Sequence, residues 1–192
     1  MYCATTNPGK LREFQMALQD SIQVQPLPGL ASIAPCEETG VTFEQNAVQK
    51  ALYYSKFCDG YLFVDDSGLE VDALQGAPGV YSARFAGPNA TDAANNQLLL
   101  EKMRGVADRA ARFVCVVALA ESGRLVRTFR GEVEGSLLEA PRGAGGFGYD
   151  PLFFYAPFGC SFGEAPLELK MQVSHRSVAL RQMRNYLDGM TG

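Results

Sequence analysis

The chain has 192 residues, 47% apolar and 20% charged, and its 17 Lys and Arg against 21 Asp and Glu give a formal net charge of −4. That length suits one domain with a real core, here residues 1–192, and the composition is ordinary for a globular protein. The negative balance excludes a basic field that gathers nucleic acid or an acidic membrane surface.

No apolar run reaches the length of a membrane span, and the N-terminus lacks a signal-peptide pattern. Five scattered cysteines (Cys3, Cys36, Cys58, Cys115, Cys160) and a single histidine match no zinc spacing and suit a reducing compartment. We therefore expect a cytoplasmic protein with neither nucleic acid nor membrane as partner.

A first strand over residues 1–5 runs into Thr6-Asn7-Pro8-Gly9-Lys10, and Leu11, Phe14, Met16 and Leu18 continue it as a helix. Strand, tight turn and helix aim backbone N–H groups and the positive helix end at the turn, which favours phosphate. The Walker A spacing is absent, and the same residues also suit a plain βα connection. A second strand is predicted over 22–27. Thr42 with Gln45 reads as a capping box opening a helix to about residue 57, with Phe43, Ala47, Ala51 and Tyr54 on its apolar face.

The apolar run 61–64 predicts a buried strand that stops on Asp65-Asp66-Ser67-Gly68. Ligands of open α/β sheets gather outside the carboxyl ends of strands. Two carboxylates there can hold Mg²⁺ and an attacking water together, although Asp, Ser and Gly equally suit an Asx-type turn. Another short strand follows over 69–72, then an irregular loop over 76–85 whose Arg84 meets a phosphate or carboxylate or lies solvated. A helix runs from Thr91 or Asp92 to about 103. A hairpin joins 113–120 to 125–133 through Glu121-Ser122-Gly123-Arg124. The glycine-rich run 143–151 suggests backbone close to a ligand, or a flexible connector. A final strand over 152–155, a helical turn over 166–172 and a last helix capped by Ser174 complete the chain.

Six segments together resemble the inosine triphosphate pyrophosphatase family, the non-standard purine nucleoside triphosphate pyrophosphatases. They are Thr5–Lys10, Glu37-Glu38-Thr39-Gly40-Val41-Thr42-Phe43, Asp65-Asp66-Ser67-Gly68-Leu69, Gly76-Ala77-Pro78-Gly79-Val80-Tyr81-Ser82-Ala83-Arg84, Gly145-Gly146-Phe147-Gly148-Tyr149-Asp150-Pro151 and Ser174-His175-Arg176. The resemblance implies an α/β fold: a long, curved, mixed sheet flanked by helices, in two lobes with a central cleft. It implies hydrolysis of ITP, dITP and XTP between the α- and β-phosphates to monophosphate and pyrophosphate, with Mg²⁺ as cofactor and a homodimer as the assembly.

Carried over residue by residue, it assigns Thr5, Thr6, Asn7, Pro8, Gly9 and Lys10 to the phosphates, and Glu38 and Asp66 to the metal. Among the catalytic residues it implies, Asp66 orients or deprotonates water, Asp65 shares that role or supports the metal, and Lys10 stabilises charge on the departing pyrophosphate. Because an exposed aspartate of pKa about 4 is a weak base at pH 7, metal polarisation is expected to dominate. Ser67, Phe147, Gly148, Tyr149, Asp150, Lys170, His175 and Arg176 are assigned to the substrate. Phe147 stacks on the base, and His175 and Arg176 donate to the C6 keto oxygen of inosine or xanthine. An adenine amino group would leave those donors unmatched.

One residue departs from the family pattern. Phe43-Glu44-Gln45-Asn46-Ala47 carries Gln45 where the family has an acid, and Glu44 cannot replace it, since neighbouring helical residues point about 100° apart. Two other readings stay open: a phosphatase releasing orthophosphate, from the Asp-rich strand end, and a nucleotide-binding module without turnover, from the departure at Gln45.

Overall fold

The computed structural model describes residues 1–190. Among the described residues, seven strands form one mixed sheet in the order β2-β1-β3-β4-β5-β6-β7. The strands are β1 (Tyr2–Cys3), β2 (Gln25–Pro26), β3 (Tyr61–Val71), β4 (Ala110–Glu121), β5 (Arg124–Leu137), β6 (Phe153–Tyr155) and β7 (Cys160–Ser161). β1 pairs in parallel with both β2 and β3, whereas β6 runs antiparallel to β5 and β7. The helices are α1 (Pro8–Leu18), α2 (Phe43–Tyr54), α3 (Asp92–Lys102), α4 (Leu167–Val173) and α5 (His175–Asp188). No described helix is long and apolar enough to cross a membrane.

The chain divides into two compact units. The first comprises Met1–Asp66, Cys115–Gly131 and the segment from His175 onward. In it α1 packs on α5, and Phe14, Leu18, Phe63, Val117, Leu180 and Met183 form the core. Phe14 meets Phe63 edge-on, with ring centroids 5.1 Å apart. The second unit comprises Ser67–Val114 and Glu132–Ser174. Its core gathers Leu69, Val71, Leu99, Met103 and an aromatic group in which Phe153 lies 4.6 Å from Phe113 and 5.0 Å from Phe162.

Local signals placed several elements well. Thr42 Oγ1 accepts from Gln45 N at 3.1 Å, so the predicted cap forms, and the helix expected from Thr91 or Asp92 starts with Thr91 Oγ1 accepting from Ala94 N at 3.2 Å. The hairpin turns on Ser122 and Gly123, both at positive φ, as a tight two-residue loop requires. The largest correction concerns β3. The strand does not stop on Asp65-Asp66; it continues through Ser67 and Gly68 to Val71, absorbing the short strand expected over 69–72. The loop expected over 76–85 contains a 3-10 turn, Gly79–Arg84, whose Ser82 Oγ accepts from Leu69 N at 2.9 Å. A side chain on Gly68 would lie 2.3 Å from that hydroxyl, so the strand needs glycine there for contact rather than for a bend. In this turn Arg84 lies over the Tyr81 ring, 5.2 Å from its centroid. The strands expected over 1–5 and 22–27 shorten to β1 and β2, and β7 was not foreseen.

Gly131 shows how β5 sets the start of α5. A Cβ there would sit 2.2 Å from the His175 carbonyl oxygen and 2.6 Å from Ala179 N, both backbone atoms that no rotamer change can move aside. Gly131→Ala is therefore expected to lower unfolding free energy by about 1–3 kcal/mol, the range for overpacking. Urea denaturation would measure this, and a loss near zero would mean that α5 shifts freely.

Candidate active site

The first unit carries the charged groups expected to handle phosphate and metal. Asn7 caps α1: its Oδ1 accepts from Lys10 N at 3.1 Å, and its own N–H donates to Thr5 Oγ1 at 3.2 Å. Pro8 opens the helix, where its missing N–H costs nothing. Residues 8–10 are thus the first turn of α1 rather than part of the preceding loop, which keeps the positive helix end at Thr5 to Asn7.

Successive residues on a strand face opposite ways, and Asp65 and Asp66 use this to serve different partners. Asp65 is 5% exposed. Its Oδ1 accepts from Lys10 Nζ at 2.9 Å, and its Oδ2 from Arg176 Nε and Nη2 at 3.3 and 3.2 Å. Burial alone would raise this carboxyl, but Lys10, Arg176 and Lys50 outweigh it and hold Asp65 far below the usual carboxylate range. The other guanidinium branch of Arg176 donates to buried Glu13. Burial opposes the charge on Arg176, and Glu13 and Asp65 restore it. In this structure Nε, Nη1 and Nη2 of Arg176, one of the two residues expected to meet the base oxygen, thus each donate to one of two carboxylates. The physical reason is its 2% exposure: a desolvated guanidinium needs anionic partners. The neighbouring thiols of Cys3 and Cys115 are raised first by burial and then by the charge of Asp65, Cys3 to about 12, which keeps both protonated and inert.

Asp66 faces α2. Lys50 Nζ donates to its Oδ1 at 2.8 Å and pairs with Glu38 Oε1 at 3.0 Å, so one ammonium gathers the two expected metal acids. Asn46 Nδ2 also approaches Asp66, at 3.4 Å. Asp66 is 8% exposed rather than open to solvent. Burial pushes its carboxyl up, and Lys50 pulls only part of that back. The premise of an exposed aspartate is therefore corrected: Asp66 is buried, and burial favours its protonated form. Among the described residues no cluster of three or more His, Cys, Asp and Glu forms a metal cage.

Gln45 does not join these acids. Its Oε1 accepts from Val41 N at 2.8 Å and closes the helix start. Glu44 takes the Thr128 hydroxyl at 2.7 Å, away from Asp66 as its helical position requires.

The second unit carries the segment expected to hold the nucleoside. Asp150 Oδ2 accepts from Phe147 N at 2.9 Å and from Lys170 Nζ at 2.6 Å. Both charged side chains of that pair are almost fully buried. Gly146 has φ of +71°, and a Cβ there would lie 2.0 Å from Asp150 Oδ2, so the segment tolerates only glycine at this point. Phe147 remains half-buried, with Lys170 Nζ 5.1 Å from its ring centroid. It borders a cavity of about 460 Å³, a size typical of small-ligand pockets. Tyr149 is a buried packing residue whose hydroxyl donates to the Ser82 carbonyl at 2.8 Å. Ser67 follows Asp66 on β3, and His175, 4% exposed, begins α5.

Lys50, Asn46 and Glu13 escaped the sequence reading. The first two had a signal: positions 43, 46, 47, 50 and 51 share one helical face, so a lysine among its apolar residues needed a buried acid.

A lysine-bearing βα turn beside two adjacent carboxylates in the first unit, and in the second a half-buried aromatic on a glycine segment, are features of an α/β protein equipped for phosphorylated ligands. The chain belongs to the Ham1 family, whose model matches residues 1–186. It is 47% identical to a protein of Acidobacterium capsulatum named dITP/XTP pyrophosphatase, over 98% of both chains. A protein of the same name from Syntrophobacter fumaroxidans is 49% identical, over 96% of this chain and 80% of its own. The solved Ham1 protein of Staphylococcus aureus superposes with a TM-score of 0.87 at 38% identity, covering 98% of each chain. That of Coxiella burnetii gives 0.88 at 39% over the same shares. The family resemblance and the mixed α/β sheet expected from the sequence both hold.

Proposed function

We propose that this protein hydrolyses non-standard purine nucleoside triphosphates (ITP, dITP and XTP) between the α- and β-phosphates, releasing monophosphate and pyrophosphate and so clearing the nucleotide pool. Support comes from the relatives' names and from the gathering of Glu38 and Asp66 on Lys50. The second observation carries the chemistry. Two acids 28 residues apart in sequence reach one cationic point, next to an aspartate tied to the phosphate-turn lysine.

The residues present fit Mg²⁺ in its usual mode, in which one or two carboxylates and the substrate phosphates bind it and water fills the rest. Glu38 and Asp66 would hold it, and when bound it supplies charge neutralisation and Lewis acidity. Asp66 orients water and accepts its proton as the oxygen attacks the α-phosphorus. The α–β bridging bond breaks and pyrophosphate leaves. Lys10 Nζ and the N–H groups at the start of α1 stabilise the charge growing on that leaving group. Asp65 fixes Lys10, while Glu13 and Asp65 together fix Arg176. Phe147 offers its ring to the base, and Lys170 and Asp150 hold the segment that bears it. His175 remains the candidate donor toward a C6 keto oxygen. In this reading the whole chain works as one domain, as a cytoplasmic homodimer acting on free nucleotides.

The test is a panel of ITP, dITP, XTP, ATP and GTP with Mg²⁺, assayed separately for pyrophosphate and orthophosphate. Pyrophosphate from the first three, far faster than from ATP or GTP, is the expected result. Orthophosphate would instead show a phosphatase, and binding of ITP with no product would show a module without turnover.

A further inference from the structure

We propose that Asp92 and Asn96, on the first turns of α3, are positioning residues that set the Phe147 ring for the base. This rests on the reading of residues 147–150 as the nucleoside segment. Asp92 Oδ2 accepts from Gly148 N at 2.6 Å, and Asn96 Nδ2 donates to Gly148 O at 2.8 Å. Residues four apart on a helix lie on one face, so a single face of α3 grips both polar groups of the residue following Phe147. Asn96 Nδ2 also donates to Asp92 O at 2.8 Å, which ties the two grips together.

Gly148 needs that grip. Its φ is +61°, yet a Cβ there would meet nothing within 4 Å, so the local backbone conformation is not imposed by crowding. Hydrogen bonds from α3 are what the structure supplies to hold it. On the other side Phe147 N is fixed by Asp150 Oδ2, which leaves the ring suspended between two anchors. Asn96 is 8% exposed and its Oδ1 has no partner among the described residues. Burying an unmatched acceptor is unfavourable, whereas a leucine of similar size would carry none. The amide is thus explained by its two donated bonds and not by packing.

A ring held in advance lowers the cost of ordering the base site, so the effect belongs to ligands that carry a base. The experiment compares wild type with Asn96→Leu, Asp92→Ala and Asp92→Asn. It measures KM and kcat for ITP, and the Ki of inorganic tripolyphosphate as a base-free competitor. Asn96→Leu and Asp92→Ala are expected to raise KM for ITP about tenfold, as for a lost hydrogen bond of about 1.4 kcal/mol, and to lower kcat by less. The tripolyphosphate Ki should stay at the wild-type value.

Asp92→Asn keeps an oxygen for Gly148 N and should recover most of the loss. Because this variant also preserves the helix start, it keeps the test valid if the others fold poorly. An unchanged KM, or a Ki that rises in step with KM, would overturn the proposal. Failure of the wild-type enzyme to act on ITP would instead remove the functional reading on which the proposal stands.

Discussion

Asp65→Ala is expected to lose about 3–5 kcal/mol of unfolding free energy at pH 7, the cost of breaking a buried ion pair by removing one partner. Cationic N–H donors converge on this carboxylate, Lys10 Nζ on one oxygen and Arg176 Nε and Nη2 on the other, where the Cys115 thiol also donates at 3.8 Å. Alanine leaves the buried Arg176 with Glu13 as its remaining carboxylate partner among these ion pairs, and frees Lys10 from its 2.9 Å tether.

The sign of the pH dependence follows from the depressed pKa of Asp65, which burial raises but Lys10, Arg176 and Lys50 lower further. A carboxyl with a depressed folded pKa contributes stability that is fully present above its unfolded value, about 3.9, and is lost as pH falls toward the folded one. The gap between wild type and variant should therefore be constant from neutrality to about pH 4, and narrow only below it. Urea denaturation at several pH values measures both. A gap under about 1 kcal/mol, the value of a solvent-screened surface pair, would show that Asp65 does not organise this cluster.

What the sequence revealed, and what it hid, divides by the range of the forces involved. Thr42 with Gln45 and Thr91 with Ala94 are contacts three residues apart, and their signals are complete within one turn of chain. Asp65 to Gly68 carry equally clear turn chemistry, yet β3 runs straight through them, because pairing and packing on a sheet override local preference. The same continuity separates the two aspartates onto opposite faces, which a turn would not have done.

Glu38 and Asp66 were legible as a pair through the motifs alone. Their shared Lys50 was visible only as a charge on the buried stripe of α2. Arg176 shows the reverse. Its motif suggested a base contact, while the structure directs its guanidinium to Glu13 and Asp65, 163 and 111 residues away. Nothing local to Arg176 announces those acids.

The largest effect on turnover is expected at Asp66. Asp66→Asn removes the proton acceptor and should lower kcat by about 10²–10⁴-fold, the usual contribution of a positioned general base. The fold should survive, because the amide oxygen can still accept from Lys50, which also keeps Glu38. Asparagine removes a charge that burial disfavours, but it also removes one of the two carboxylates that offset the burial of the Lys50 ammonium. These two effects oppose each other, so the variant should remain folded, with a cooperative melt above the assay temperature.

The raised pKa also fixes the acid limb of the activity profile. In the metal-free protein burial pushes Asp66 upward and Lys50 restrains it, so where Mg²⁺ arrives with the substrate the limb of kcat/KM, which reports the free enzyme, should lie above the ordinary aspartate value of about 3.9. Lys50→Met removes the restraint, and the limb should then move to still higher pH, toward neutrality. Profiles of kcat/KM against pH for wild type and Lys50→Met test this directly. Coincident acid limbs would mean that the proton leaves water for some group other than Asp66, whatever the loss in Asp66→Asn.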